Sequence, residues 1–240
     1  MDKKRNISVC FTADQFDKFS DGKSTVVVVD ILRATSVIST AFMHGVKEII
    51  PVQSLEEALF YKGKKDFIVA AERNAKRIDG FDYGNSPFHY INTNVNGKIL
   101  VLTTTNGTKA INNAKDHKVI TSSYLNIDAV AQYLIEDNNN VIILCSGWKG
   151  VFNLEDSIFA GSLTNLLLDS NKFNSECDSL FASIELMKNA GGNLFEYLSK
   201  SSHRRRLKNL NMEEDTRYCL SPPEKSDIIP VLKGDRLIEM

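Results

Sequence analysis

Short apolar runs alternate with amphipathic stretches along this 240-residue chain. Residues 25–31, TVVVVDI, are β-branched and almost continuously apolar. That is the pattern of a strand buried on both faces. Residues 36–44 have helical spacing and stop at Gly45, where a helix end is expected. The theme recurs, and strands are predicted at 47–52, 67–71, 98–103, 119–121 and 141–145. Ser54 and Glu57 form a capping box that opens a helix through Tyr61. Further helices are predicted from Gly107, from a cap at Asn126 through Leu134, and over 156–168. In the last of these, Ile158, Phe159, Leu163, Leu166 and Leu167 form an apolar stripe. Residues 176–209 read as mostly helical with a break at Gly191-Gly192. The tail segments 227–232 and 236–240 read as a short strand or a sheet edge.

Strand, small polar loop and helix in repetition indicate an α/β fold, with a mixed or largely parallel sheet and helices on both faces. No Pro/Ser-rich linker divides the chain. Residues 1–240 are therefore expected to form a single α/β catalytic unit, or two tightly packed lobes dividing near 120–140. In such sheets ligands bind beyond the carboxyl ends of the strands.

Composition narrows the choice of partner. Lys and Arg total 29 against 30 Asp and Glu, a net charge of −1. That balance gives no basic excess for a nucleic-acid backbone, so an anion must be held by a few focused groups. Cys10, Cys145, Cys177 and Cys219 lie far apart, which argues against a zinc site or a disulfide framework. Reduced thiols and a cytoplasmic location are the expectation. Residues 1–6 are charged, and the segment 7–11 is too short and polar for a signal peptide. No apolar run approaches the length of a membrane span.

Four loops occupy the positions where a site is expected. In the first, Asp30 ends a buried strand, Arg33 follows, and Thr35 and Ser36 open a helix. Asp30 suits a metal, Arg33 a bidentate contact to phosphate or sulfonate, and the helix start an anion. The plainer alternative makes Ser36 a cap and Arg33 the partner of Asp30. A carboxylate directly after four valines favours the functional reading, because it must be paired or coordinated. In the second loop, Glu72 and Arg73 repeat the acid–arginine pair ahead of a long loop through Asn85 and Ser86. The third, Thr103 to Thr108, places Thr104, Thr105, Asn106, Gly107 and Thr108 between a strand and a helix. Six small polar residues exceed what a helix cap needs and suit anion binding. The fourth runs from Cys145 through Gly147, Trp148 and Gly150 to Glu155 and Asp156. These two acids suit either a metal or simply the first turn of a helix.

Other phosphate chemistries fail on inspection. A covalent thiol phosphatase needs an arginine six positions after its cysteine, and Val151 stands there after Cys145. An aspartyl-phosphate enzyme wants a second Asp where Leu32 stands. The third loop lacks the Gly-Lys-Ser/Thr ending of a nucleotide-binding loop. The residues alone therefore indicate a phosphate- or carboxylate-binding α/β protein, enzyme or non-catalytic anion binder.

The segments VVVVDILRATSVISTAFMHG, AERNAKRIDGFDYGNSP, LVLTTTNGTKAI, SSYLNIDAVA and CSGWKGVFNLEDSIFAG together resemble the 2-phosphosulfolactate phosphatase family. The resemblance covers residues 7–170 and continues more weakly through SHRRRL at 202–207. It implies that family's own α/β fold and a Mg²⁺-dependent hydrolase that converts (2R)-O-phospho-3-sulfolactate to 3-sulfolactate and phosphate. In methanogens that reaction belongs to coenzyme M biosynthesis. It also implies catalytic roles for Asp30, Arg33, Glu72 and Arg73, and metal ligands among Asp30, Glu72, Glu155 and Asp156. Thr35, Ser36, Asn85, Ser86 and Thr104 to Thr108 would bind substrate. The partner is a small anionic phosphorylated sulfonate, with no nucleic acid or membrane, and a homodimer is compatible with this reading. One departure is Asn74-Ala75-Lys76-Arg77, where the family pattern is richer in glycine.

Overall fold

A computed structural model describes residues 4–240. The chain begins with β1 (Arg5–Cys10), β2 (Thr25–Val29), α1 (Ala34–Met43), β3 (Glu48–Pro51) and α2 (Leu55–Leu59). It continues through β4 (Phe67–Arg73), β5 (Lys76–Arg77), α3 (Phe88–Ile91), β6 (Ile99–Thr103) and α4 (Gly107–Asn113). Then come β7 (Lys118–Ser122), α5 (Ile127–Glu136), β8 (Val141–Cys145), α6 (Leu154–Asp169) and β9 (Phe173–Asn174). The last part holds α7 (Asp178–Ala190), α8 (Leu194–Tyr197), α9 (Ser202–Asn209), α10 (Glu213–Leu220), β10 (Pro230–Lys233) and β11 (Arg236–Glu239).

The expected α/β class holds, and so does the mixed sheet. One 11-stranded sheet runs in the order β5-β4-β6-β3-β11-β10-β7-β2-β8-β1-β9, and it crosses the region 120–140. Two parallel blocks, β4-β6-β3 and β7-β2-β8-β1, are joined by the β10–β11 hairpin. That hairpin pairs antiparallel with both blocks. The tail is thus the centre of the sheet, not an edge. Its short strands gave only a weak period-2 signal, which cannot distinguish centre from edge.

β2 explains why helices cover both faces. Its alternate valines enter different cores: Val27 and Val29 pack with Val130, Leu134, Phe159 and Leu163 of α5 and α6. Val26 and Val28 pack with Val37, Ile38, Ala110 and Ile111 of α1 and α4. All four are fully buried. Each contributes about 1.5–3 kcal/mol relative to exposure. The second core also takes Ile49, Ile68, Ala70, Leu100 and Leu102 from the other block. Helices α1 and α4 are therefore a layer that both blocks share.

Across the hairpin the blocks run in opposite senses, so a flat sheet would send their carboxyl ends to opposite edges. Six strand-to-strand steps separate β2 from β4. At about 20–25° of twist per step the accumulated rotation is on the order of 120–150°, which turns the two blocks toward each other. The loops after β2, β4 and β6 consequently meet.

Several boundaries differ from expectation. Helix α1 starts at Ala34, two residues before Ser36, because the Thr35 backbone N–H already bonds the Asp30 carbonyl at 3.0 Å. Asn126 occupies the cap position of α5, but its side chain bonds the Ser123 N–H at 2.9 Å rather than the helix. Ile7 to Cys10, in the segment too short and polar for a signal peptide, belong to strand β1 beside β8. Helix α10 carries no expectation at all. Ser54 caps α2 by accepting from Glu57 N–H at 3.1 Å, as its spacing predicts.

Candidate active site

The loops after β2 and β4 close on a polar cavity of about 20 Å³, lined by Asp30, Arg33, Glu72, Asn85, Trp148 and His203. The enclosed part has room for one water or a small ion, and the cavity is open to solvent on one side. Three carboxylates, Asp30, Glu72 and Glu155, are buried at 7%, 6% and 1% exposure.

Asp30 sits just before α1. Its Oδ1 accepts from the Ala34 N–H at 3.2 Å, and its Oδ2 has no protein hydrogen bond among the described residues. Burial pushes its pKa up to about 6, against the Ala34 hydrogen bond and the charge of His203, while Glu72 and Glu155 push it further up. Glu72 ends the fully buried part of β4. It accepts from the Thr105 N–H at 3.1 Å, from the Thr105 hydroxyl at 3.3 Å, and from the Ala75 N–H. The third loop thus does converge on this cavity, but Thr105 serves a carboxylate there.

The other predicted residues divide into three groups. Arg33 and Asn85 line the cavity. The Arg33 guanidinium is ion-paired with Asp215 of α10 and donates to the Ala75 carbonyl at 2.9 Å. Ser86 donates to the other oxygen of Asp215 at 3.1 Å, and the Asn85 Oδ1 is buried without a partner. Asn106 also lines the cavity, where its Oδ1 accepts from the Lys149 N–H at 3.0 Å.

A second group builds the loops. The Thr35 hydroxyl accepts from Asp30 N–H at 3.1 Å, and Ser36 donates to the Ile31 carbonyl at 2.9 Å. Thr104 and Thr108 bond each other's backbone N–H groups, both at 3.2 Å. Gly107 is needed for packing: a Cβ there would lie 2.4 Å from the Ala34 Cβ and 2.9 Å from Asp30 Oδ2. Asp156 accepts from the Ile31 N–H at 2.9 Å, the Gly147 N–H at 3.3 Å and the Asn153 amide at 2.9 Å, so it ties the first loop to the fourth. Burial, with Asp30 and Glu155 nearby, holds its pKa well above the carboxylate range.

Arg73 forms the third group alone. It turns out of the cavity to the Glu72 and Gln53 carbonyls and the Thr103 hydroxyl, at 2.6, 3.3 and 3.0 Å.

Sequence reasoning missed His203, Trp148, Arg206 and Asp215. Glu155 bonds the His203 Nδ1 at 2.6 Å, and its own Oε2 is buried without a partner. The Arg206 guanidinium lies 3.5 Å from the Trp148 ring centroid, and its Nη1 is buried and unpaired. Two signals were available: one histidine inside an arginine run, and the chain's sole tryptophan flanked closely by glycines. Nothing local marks Asp215.

Among the described residues no three His, Cys, Asp or Glu side chains converge into a metal cage. Mg²⁺ requires none, because it keeps several waters and takes one or two carboxylates plus phosphate oxygens. Asp30, with a free oxygen on the cavity, and Glu72 fit that donor set. Asp156 is engaged by three donors, and Glu155 bonds His203 through Oε1 alone. Among the described residues no helix is long and apolar enough to cross a membrane.

The profile of the family described as 2-phosphosulpholactate phosphatase matches residues 10–235. A protein of Caldanaerobacter subterraneus named "Probable 2-phosphosulfolactate phosphatase" is 41% identical over 216 residues, 88% of this chain and 89% of that protein. A Thermotoga petrophila protein of the same name is 40% identical over 195 residues, 81% of this chain and 83% of its own. A Clostridium botulinum protein, also so named, is 33% identical over 241 residues, 98% of this chain and 99% of its own. With the motif-bearing loops gathered at one cavity and matches of this extent, the chain belongs to the 2-phosphosulfolactate phosphatase family.

Proposed function

We propose that this chain hydrolyses (2R)-O-phospho-3-sulfolactate to 3-sulfolactate and phosphate with Mg²⁺ as cofactor. Family membership makes it a phosphoric monoester hydrolase. The observation that carries the finer reading is the cavity itself: buried Asp30 and Glu72 face Arg33 where the two parallel blocks meet. Buried acids without matching cations are costly, and a divalent cation relieves that cost.

Asp30 and Glu72 would hold the ion, which when bound neutralises charge on the transferring phosphoryl group. Glu72 is kept in place by Thr105 and the Ala75 N–H. Arg33 lies at the cavity with its charge balanced by Asp215. Arg206, stacked on Trp148 with an unpaired Nη1, offers a second cationic group for the sulfonate or carboxylate. A cytoplasmic location and sulfolactate production belong to the same reading.

A substrate panel tests it. Phosphosulfolactate, phospholactate and phosphoglycolate are offered to purified protein, with MgCl₂ or with EDTA, and released phosphate is measured. The expectation is release from phosphosulfolactate well above the others, lost with EDTA. Preference for phospholactate would move the assignment to another phosphorylated hydroxy acid. No release from any ester would make the protein an anion binder.

A further inference from the structure

The contact between His203 and Glu155 has no part in the reading above. His203 lies in the first turn of α9, buried, and its ring lines the cavity beside Asp30 and Glu72. Its Nδ1 is 2.6 Å from Glu155 Oε1. A carboxylate accepts and does not donate, so the Nδ1 carries a proton in that contact. The other ring nitrogen, Nε2, has no protein hydrogen bond among the described residues. Glu155 is 1% exposed, and His203 is its one side-chain hydrogen-bond partner among the described residues. A side chain so deeply placed, in the first turn of α6, fixes the imidazole in a single orientation.

We propose that His203 is the general acid of the phosphatase reaction, protonating the departing ester oxygen through Nε2, with Glu155 as the positioning residue that holds its ring. The inference rests on the phosphatase reading of the cavity. Phosphoryl transfer passes through a loose transition state, in which the leaving oxygen gains charge before water has bonded strongly to phosphorus. An aliphatic 2-hydroxy acid leaves poorly as an alkoxide, so a proton is needed at that oxygen. The balance is simple. Water oxygen forms the new P–O bond, and one water proton passes to the phosphoryl oxygens. The P–O ester bond breaks, and its electron pair stays on the ester oxygen. That oxygen takes the Nε2 proton of the doubly protonated imidazolium, which leaves a neutral ring with its Nδ1 proton still donated to Glu155, and solvent restores the imidazolium before the next turnover.

The test compares wild-type protein, His203→Asn, His203→Gly and Glu155→Gln on phosphosulfolactate with MgCl₂. Folding is checked by thermal melting monitored by circular dichroism. His203→Asn is expected to lower kcat by about 10²–10⁴-fold, with KM changed by less than about threefold, as for a group acting only in the transition state. Free imidazole is expected to restore turnover to His203→Gly, which a purely structural histidine would not allow. Glu155→Gln keeps the histidine and is expected to lose about tenfold, as partners of working histidines do. If the Asn variant fails to fold, the imidazole response of the Gly variant decides. Wild-type turnover alongside an unchanged kcat in His203→Asn, or no imidazole response in His203→Gly, overturns the general acid and leaves the phosphatase reading standing. A wild-type protein that releases no phosphate overturns both.

Discussion

Asp30 with Arg33 and Glu72 with Arg73 are matched pairs in the sequence: each is an acid and an arginine at the end of a buried strand. In the structure the acids meet and the arginines part. Glu72 and Arg73 are consecutive strand residues, so the pleat sends them to opposite sides of the sheet, and Arg73 turns to Gln53 and Thr103. Asp30 and Arg33 are separated by a turn, which lets both reach the cavity. An acid–arginine motif therefore carries different meanings inside a strand and across a turn.

The largest expected effect is on Asp30. Asp30→Asn should lower kcat/KM by at least about 10³-fold if the carboxylate works through a metal. It should also raise the melting temperature of the metal-free protein by a few degrees, because it removes one charge from a buried acidic cluster. Steady-state phosphate release and a melting curve in EDTA check both.

The arginines give the sharpest contrast. Arg33→Lys keeps the charge but loses the fork shared by Asp215 and Ala75, and kcat/KM should fall about 10–100-fold, as for a charge-assisted hydrogen bond. Arg73→Lys should stay within about threefold, since its contacts are outside the cavity. Equal losses in the two variants would erase the distinction.

Gly107→Ala should destabilise by about 1–3 kcal/mol, the range for overpacking a core, read from denaturant melts. The reason is the Cβ placed 2.4 Å from that of Ala34. Its missing side chain lets α4 approach α1, a role that the sequence alone could not separate from ligand access.

The smallest effect concerns the turn between β4 and β5. Asn74 and Ala75 have φ of 55° and 68°. Two positive φ values at the tip of a hairpin suit Asn-Gly, so Ala75 stands where glycine is easier. Ala75→Gly should stabilise by up to about 1 kcal/mol and leave turnover unchanged. The chain keeps the turn with alanine because Glu72 binds the Ala75 N–H and Arg33 its carbonyl.

The strands and first helices were legible because β-branched runs and helical spacing are local signals. Within each block the gathering of loops was legible too, since parallel neighbours such as β2 and β8 place their carboxyl ends together; that the two blocks' loops meet was not, because it depends on the twist across the hairpin. The central place of β10 and β11 was not, because pairing partners are non-local. His203 and Asp215 were hidden for a related reason. His203 reaches the cavity from α9 and Asp215 reaches Arg33 from α10, and the approach of those helices depends on packing rather than on any strand end. Thr35, Ser36, Thr104 and Thr108 looked like ligands because hydroxyls that hold a loop and hydroxyls that hold an anion read alike.

The most direct test of the account is a crystal structure of the protein with Mg²⁺ and 3-sulfolactate. It should show the ion on Asp30 and Glu72, with the ligand's anionic groups toward Arg33 and Arg206 and its hydroxyl, the former ester oxygen, toward His203. A separate cavity of about 430 Å³ beside Phe60, Tyr61, Asn112 and Lys115 should be free of ligand. Sulfolactate seated there, with the Asp30 cavity holding neither ion nor ligand, would contradict the assignment.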